Sequence, residues 1–213
     1  IKSNGELTYF MTDIIYHQKK VDKKFDILLN IWGSDHSGYV KRLQSALKQL
    51  NKKANYIFEI KLTSLVNLLN GKQVVKMSKR EGNYVTLREV VEKVGPDVLR
   101  YMMISRSADK KIDFDFEIVK SKSKDNPVFY IQYAYARCSS IIAIAKEKLG
   151  DEFIFSSKII KNLIDLKLNE EKQIIKQVCN FYNVIKCSAQ NYEPHRISNF
   201  LYDLAKTFHN YWS

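Results

Sequence analysis

FDILLNIWG, residues 25–33, is a short apolar run closed by glycine, the pattern of a β-strand covered on both faces. The next stretch, 36–50, sets Tyr39, Val40, Leu43, Ala46, Leu47 and Leu50 on one helical stripe. ANYIFEIKL, residues 54–62, then alternates like a second strand. Strand, helix and strand in that order specify a parallel βαβ unit, so the first half is expected to be an α/β sheet domain. Residues 86–94 and 96–105 read as two short helices. Glu89 follows Thr86 at capping-box spacing, and Pro96 stands in a first turn, where proline is tolerated.

The texture changes at Asn126. Val128, Ile131, Tyr135, Cys138, Ile142, Ala145 and Leu149 recur at alternating spacings of three and four, an apolar seam along a helix that Gly150 ends. Ile174, Val178, Phe181 and Ile185 repeat the pattern, as do Ile197, Leu201, Leu204, Phe208 and Tyr211. Pro127 and Pro194 mark helix starts, so a bundle of three or four helices is expected. The polar run KSKSKDN, residues 120–126, breaks both patterns and divides the chain into domains 1–125 and 126–213.

Composition narrows the function. Among 213 residues, 35 Lys and Arg stand against 23 Asp and Glu, a net charge of +12 that favours a polyanion such as nucleic acid. A hydrophobic share of 45% excludes wholesale disorder. Cys138, Cys179 and Cys187 show no CxxC spacing, so neither a zinc site nor a disulfide framework is expected, and a reducing cytoplasm fits. No apolar run approaches the roughly 20 residues of a membrane span. Beginning at Ile1 and not at an initiator methionine, the chain reads as a piece of a longer protein.

Residues 76–80 are Lys-Met-Ser-Lys-Arg, with Gly71 before them and Glu81-Gly82-Asn83 after. Three cations within five residues on a loop flanked by glycine suit a polyphosphate, because ammonium groups neutralise charge developing on departing pyrophosphate. A solvated basic loop would have the same composition.

The surroundings decide between these. KMSKR resembles the signature loop of class I aminoacyl-tRNA synthetases, and the collinear segments LTYFMTDIIYH (7–17), NIWGSDHSGYV (30–40), VKMSKREGNYVTLREVVEKVGPDVLRYMMISRS (75–107), IDFDFE (112–117), DNPVFYIQYAYARCSSI (125–141) and HRISNFLYDLAKTFHNYW (195–212) resemble the arginyl-tRNA synthetases. The resemblance implies the second part of a Rossmann-like class I catalytic domain, followed by a helical-bundle anticodon-binding domain incomplete at its C-terminus. The family's His-Ile-Gly-His element does not occur here, so the chain by itself is not expected to aminoacylate.

The implied reaction joins arginine to ATP as arginyl-adenylate, then moves the arginyl group to the terminal ribose of arginine tRNA. Mg²⁺ would arrive with ATP, and no protein-bound metal is expected. Lys76 and Lys79 would stabilise pyrophosphate, with Met77, Ser78 and Arg80 completing the loop. Gly33 and Gly38 would let the chain's backbone approach ATP closely, and Asp35 or His36 could contact ribose or adenine. Tyr9 and Asp13 match the family's arginine-reading pair. A carboxylate accepts two parallel bonds from a planar guanidinium, and i, i+4 spacing puts both residues on one helix face. The same spacing also fits Tyr9 in the core with Asp13 as an N-cap. Tyr16 and His17 are expected to serve packing.

In the helical half, Tyr130, Gln132, Tyr133 and Arg137 share the first turns of one helix, where Tyr133 and Arg137 could stack a base and contact phosphate. The aromatic stripe at 200–212 is expected in the core. A monomer without membrane association is expected. A non-catalytic tRNA-binding module built from synthetase parts is the alternative, against which an intact KMSKR argues.

Overall fold

A computed structural model describes residues 2–52, 55–71, 73–75, 85–121, 126–150, 166 and 168–212. The chain divides into two compact units, Ile1–Val66 with Ala108–Ile112, and Asn67–Ser107 with Asp113–Ser213.

The first unit is built on the expected βαβ element. Helix α1 (Tyr9–Val21) precedes strand β1 (Ile27–Gly33), a single 3₁₀ turn (Ser34–His36), helix α2 (Ser37–Leu50) and strand β2 (Ile57–Thr63). β1 and β2 run parallel in register from Ile27 opposite Ile57 to Gly33 opposite Thr63. Leu28, Leu43 and Leu47 form the apolar core. The ends of α1 and α2 are clamped by a reciprocal amide pair, in which Gln18 Nε2 donates to Asn51 Oδ1 at 2.9 Å and Asn51 Nδ2 to Gln18 Oε1 at 2.8 Å. The Ser64 amide and hydroxyl donate to the Ala108 and Asp109 carbonyls, both at 2.7 Å, which ties the segment 108–112 to this unit.

One expectation is corrected here. β1 buries one face only: Leu28 and Asn30 point inward, whereas Ile27, Leu29 and Ile31 remain 48%, 38% and 68% exposed. An all-apolar run specifies that both faces can be covered; coverage itself depends on neighbouring layers.

The second unit begins with strands β3 (Val66–Asn70), β4 (Gln73–Val74) and β5 (Ile112–Asp115), in the order β4-β3-β5. These short strands carry no periodicity long enough to identify from sequence. β3 and β4 are antiparallel, joined at Gly71, whose φ of +57° an L side chain rarely adopts. Helix α3 (Leu87–Val94) starts with the expected capping box, the Thr86 hydroxyl accepting from the Glu89 amide while the Glu89 carboxylate accepts from the Thr86 amide. Helix α4 (Pro96–Ile104) opens on Pro96, and α5 (Phe116–Lys120) is capped by buried Asp115.

Three longer helices follow: α6 (Pro127–Leu149), α7 (Asn169–Asn191) and α8 (His195–Trp212). Asn126 launches α6. Its Oδ1 accepts from the amides of Val128 and Phe129, while its Nδ2 donates to the carbonyls of Val119 and Ser121. α8 packs on both α6 and α7. The expected apolar seams coincide with the contact faces only in part: Val128 is buried, and Ile131, Cys138, Ile174, Phe181, Ile197, Leu204 and Phe208 are half-buried. Tyr135, Ile142 and Leu149 on α6 are 76%, 46% and 55% exposed, and Val178 and Ile185 on α7 and Leu201 on α8 are exposed as well. Small and polar residues occupy the closest approaches instead: Ala134, Ser188, Ser198 and Ala205 are buried. A helix pair meets most closely where side chains are short, so the largest apolar residues flank the contact and do not centre it.

Ser198 also fastens α8 to α4, its hydroxyl donating to the His195 carbonyl at 2.9 Å and lying 3.3 Å from the Ile104 carbonyl oxygen. Tyr101 packs beside it, its hydroxyl 3.5 Å from the Ser198 carbonyl oxygen. Burial, reinforced by Tyr202 and Asp203, pushes the Tyr101 hydroxyl up to about 12. The folded chain therefore holds this proton more tightly than the unfolded chain does. Stability owed to the neutral hydroxyl is intact below pH about 10 and is lost as pH rises towards about 12. Tyr101→Phe should make the urea midpoint fall less steeply across that window than in the parent; parallel curves would remove Tyr101 from the alkaline transition.

Candidate functional site

The first unit carries a cleft of about 600 Å³ along the α1 face and the carboxyl half of β1, lined among others by Tyr9, Asp13, Tyr16, His17, Lys20, Asn30, Trp32 and His36. The structure thus brings Tyr9, Asp13 and His36 to one surface. α1 begins at Tyr9 with Thr8 at its N-cap, so Asp13 sits inside the helix, one turn from Tyr9, and does not cap it. Tyr9 is 87% exposed, which rules out a core role within the chain. Among the described residues, the Asp13 carboxylate has no hydrogen bond or ion pair, leaving its four lone-pair sites open.

β1 ends at Gly33, and the turn that follows holds Asp35 and His36, whose Oδ2 and Nε2 are 3.5 Å apart. A Cβ on Gly33 would run into the Asp35 carboxylate, so glycine lets that side chain fold back over the strand end. The open carboxyl end of a parallel pair is where α/β sheets place ligands.

The floor of the cleft is a polar network that sequence reasoning had left to packing. His17 is 3% exposed and Asn30 6%. His17 Nδ1 lies 2.7 Å from the Asp13 carbonyl oxygen, an acceptor only, so Nδ1 carries the proton. Nε2 is then bare and accepts from Asn30 Nδ2 at 2.6 Å. The remaining Asn30 oxygen accepts from Lys20 Nζ at 3.0 Å. Trp32 and Phe58 meet the imidazole edge-on, with ring centres 6.2 and 5.7 Å away. The sequence held one signal for this: Asn30 is the lone polar residue on the inward-facing alternation of an apolar strand.

In the second unit, Tyr130, Tyr133 and Arg137 lie on α6 as expected. The half-buried Tyr130 ring packs against His209 and Tyr202, with centres 4.5 and 5.5 Å away, and the Tyr130 carbonyl oxygen is 3.1 Å from His209 Nε2. The Tyr133 ring is 43% exposed, nearly parallel to Phe129 and His209, and carries the Arg137 guanidinium 4.5 Å above its centre. Of the aromatic stripe expected in the core at 200–212, His209 is buried, whereas Tyr211 and Trp212 at the end of the helix are 37% and 49% exposed. Burial pushes the Cys138 thiol up, away from thiolate reactivity. Lys76, Met77, Ser78, Lys79 and Arg80 lie outside the described residues. Among the described residues, no group of three or more His, Cys, Asp or Glu could hold a metal, and no helix is long and apolar enough to cross a membrane.

Comparison with known proteins gives two family matches. A family model described as tRNA synthetases class I (K) matches residues 26–140, and one described as DALR anticodon binding domain matches residues 131–213. Arginine–tRNA ligases from Allorhizobium ampelinum and Bartonella henselae are each 44% identical over the whole chain. The chain spans 36% of the length of each. A Campylobacter jejuni protein described as an arginyl-tRNA synthetase superposes over 100% of this chain and 45% of its own with a TM-score of 0.83 at 31% identity. The Thermus thermophilus arginyl-tRNA synthetase shares the fold, with a TM-score of 0.71 at 18% identity over 100% of this chain and 42% of its own.

The buried network generates a stability test. His17→Ala opens a cavity and strands the Asn30 amide, which should cost roughly 2–4 kcal/mol. Trp32 fluorescence against urea would read it, and an unshifted midpoint would mean the network contributes nothing to unit 1.

Proposed function

The chain belongs to the class I tRNA synthetase family, and we propose that it is the part of an arginine–tRNA ligase that carries the arginine-reading helix, the KMSKR loop and the helical tRNA-binding surface. Identity of 44% over the whole chain with arginine–tRNA ligases carries this reading. The letter K of the matching family model raises lysine as the competing substrate. The unpaired Asp13 carboxylate beside Tyr9 favours arginine, since a planar guanidinium can fill both its oxygens at once, whereas an ammonium is a point charge.

In the proposed reaction, a carboxylate oxygen of arginine attacks the α-phosphorus of Mg²⁺-bound ATP. The bond to the bridging oxygen breaks, and pyrophosphate leaves with the electron pair. No enzyme nucleophile is required; the protein positions the reactants and neutralises charge. Lys76 and Lys79 take the pyrophosphate charge, with Met77, Ser78 and Arg80 shaping their loop, and Gly33, Asp35 and His36 border the nucleotide. The ribose hydroxyl of the tRNA terminus then attacks the arginyl carbonyl and releases AMP.

For the tRNA, we assign Tyr130, Tyr133 and Arg137 of α6. The Tyr133 ring is already covered by Arg137, so a base would stack on the outer face of the guanidinium, held flat by the ring beneath.

ATP–pyrophosphate exchange in the complete ligase tests the substrate. Exchange should depend on arginine and not on lysine, and Asp13→Asn should raise the arginine KM about tenfold while leaving that of ATP nearly unchanged. Lysine-dependent exchange would overturn the arginine reading. For the tRNA surface, filter binding of this chain should weaken steeply with salt, as expected when phosphate contacts release counterions. Arginine tRNA should keep a preference over another tRNA as salt rises, and Arg137→Ala should reduce that preference. Equal binding of both tRNAs at every salt concentration would reduce α6 to a basic surface.

A further inference from the structure

The cleft that holds the unpaired Asp13 carboxylate also holds a cation of its own. Lys20 lines it from the same helix, seven residues on from Asp13 and therefore two turns away on one face, about 10.5 Å along the axis. Side chains on a helix lean towards its N-terminus, so a free Lys20 would extend towards Asp13. It does not reach it. Its ammonium donates to Asn30 Oδ1 at 3.0 Å and stands 4.5 Å from the centre of the Tyr16 ring, a cation–π seat one turn short of Asp13.

The position of that ammonium follows from a chain of forced choices. The Asp13 carbonyl can only accept, which fixes the proton on His17 Nδ1. Bare Nε2 requires a donor, which turns the Asn30 amide nitrogen towards it. The Asn30 oxygen then faces the only kind of group that can satisfy it, a donor, and Lys20 supplies one. Both His17 and Asn30 are buried, so reversing the amide would set its oxygen against the bare Nε2, acceptor against acceptor, where water cannot compensate.

We propose that the tether on Lys20 keeps this cleft open to a cation: Asn30 and the Tyr16 ring hold its ammonium away from Asp13, so that the carboxylate stays open to the cationic side chain of a ligand and is not closed by an internal ion pair. His17 and Asn30 act as positioning residues. The inference deepens the arginine reading, because it explains how a cleft can hold a lysine and still accept a guanidinium.

The test is a titration of the ¹⁵N-labelled chain with L-arginine, followed at the Tyr9 and Asp13 amides. Asn30→Leu frees Lys20 and should weaken arginine two- to about fivefold, the range of an exposed ion pair in competition. Tyr16→Leu removes the ring seat at an exposed position, where folding is not at stake, and should act in the same direction. Adding Lys20→Gln to either variant should restore binding, and high salt should shrink the differences. Restoration on removing a lysine is something a purely structural role of Asn30 would not give.

The proposal is overturned if the double variants bind no better than the single ones, or if Tyr16→Leu and Asn30→Leu both bind like the parent. It is equally overturned if Lys20→Gln alone weakens arginine, which would make Lys20 a ligand contact. Exchange in the complete ligase separates the two readings. An absence of arginine-dependent exchange with the binding order intact would sink the ligase and leave the tether standing; exchange present with the order lost would do the reverse.

Discussion

The hydrogen bond between the Asn30 amide and the bare ring nitrogen of His17 is the contact on which the ligand face of the first unit depends. Apolar contacts alone let a helix rotate or slide on a sheet at little cost, because they are not directional. A buried donor and acceptor do not, since each loses its partner when the register shifts. This pair locks α1 to the middle of β1. The same helix presents Tyr9 and Asp13, and the same strand ends at Gly33, so one polar contact sets the distance between the Asp13 carboxylate and the open end of the sheet. The amide pair of Gln18 and Asn51 repeats the device where α1 meets the end of α2.

The second unit solves a related problem with different means. Its helices meet at short side chains, Ala134, Ser188, Ser198 and Ala205, which permit close backbone approach but specify little by themselves. Specificity comes from directional groups inserted at those contacts: His209 against the Tyr130 carbonyl, and the Ser198 hydroxyl between the His195 and Ile104 carbonyls. The aromatic rings around His209 then form a rigid bed on which Tyr133 and Arg137 rest. A guanidinium held flat would have little rotamer freedom left to lose on stacking with the base proposed above.

Charge and geometry divide the work of recognition. A net charge of +12 attracts any polyanion and carries no sequence information. Discrimination requires groups whose direction is fixed, and the proposed function assigns it to two of them, the carboxylate of the cleft and the planar cation on α6.

The sequence by itself determined the parallel strand–helix–strand element, the capping box at Thr86, the helix starts at Pro96 and Pro127, and the placement of Tyr9 and Asp13 one turn apart, because each is written in neighbouring residues and in the periods of single elements. It also determined family membership, through collinear segments that no single motif could match. It placed the seams of α6 and α7 only partly on the inward face, since hydrophobic size marks a stripe but the partner's short residues decide where helices touch. It gave His17 to packing without its polar partners Asn30 and Lys20, and gave β1 two covered faces. Only the tertiary structure decided these. A proton's place on an imidazole, the turn of an amide and the reach of a lysine depend on atoms brought together from positions 13, 17, 20 and 30, and no local pattern encodes a hydrogen bond across that distance.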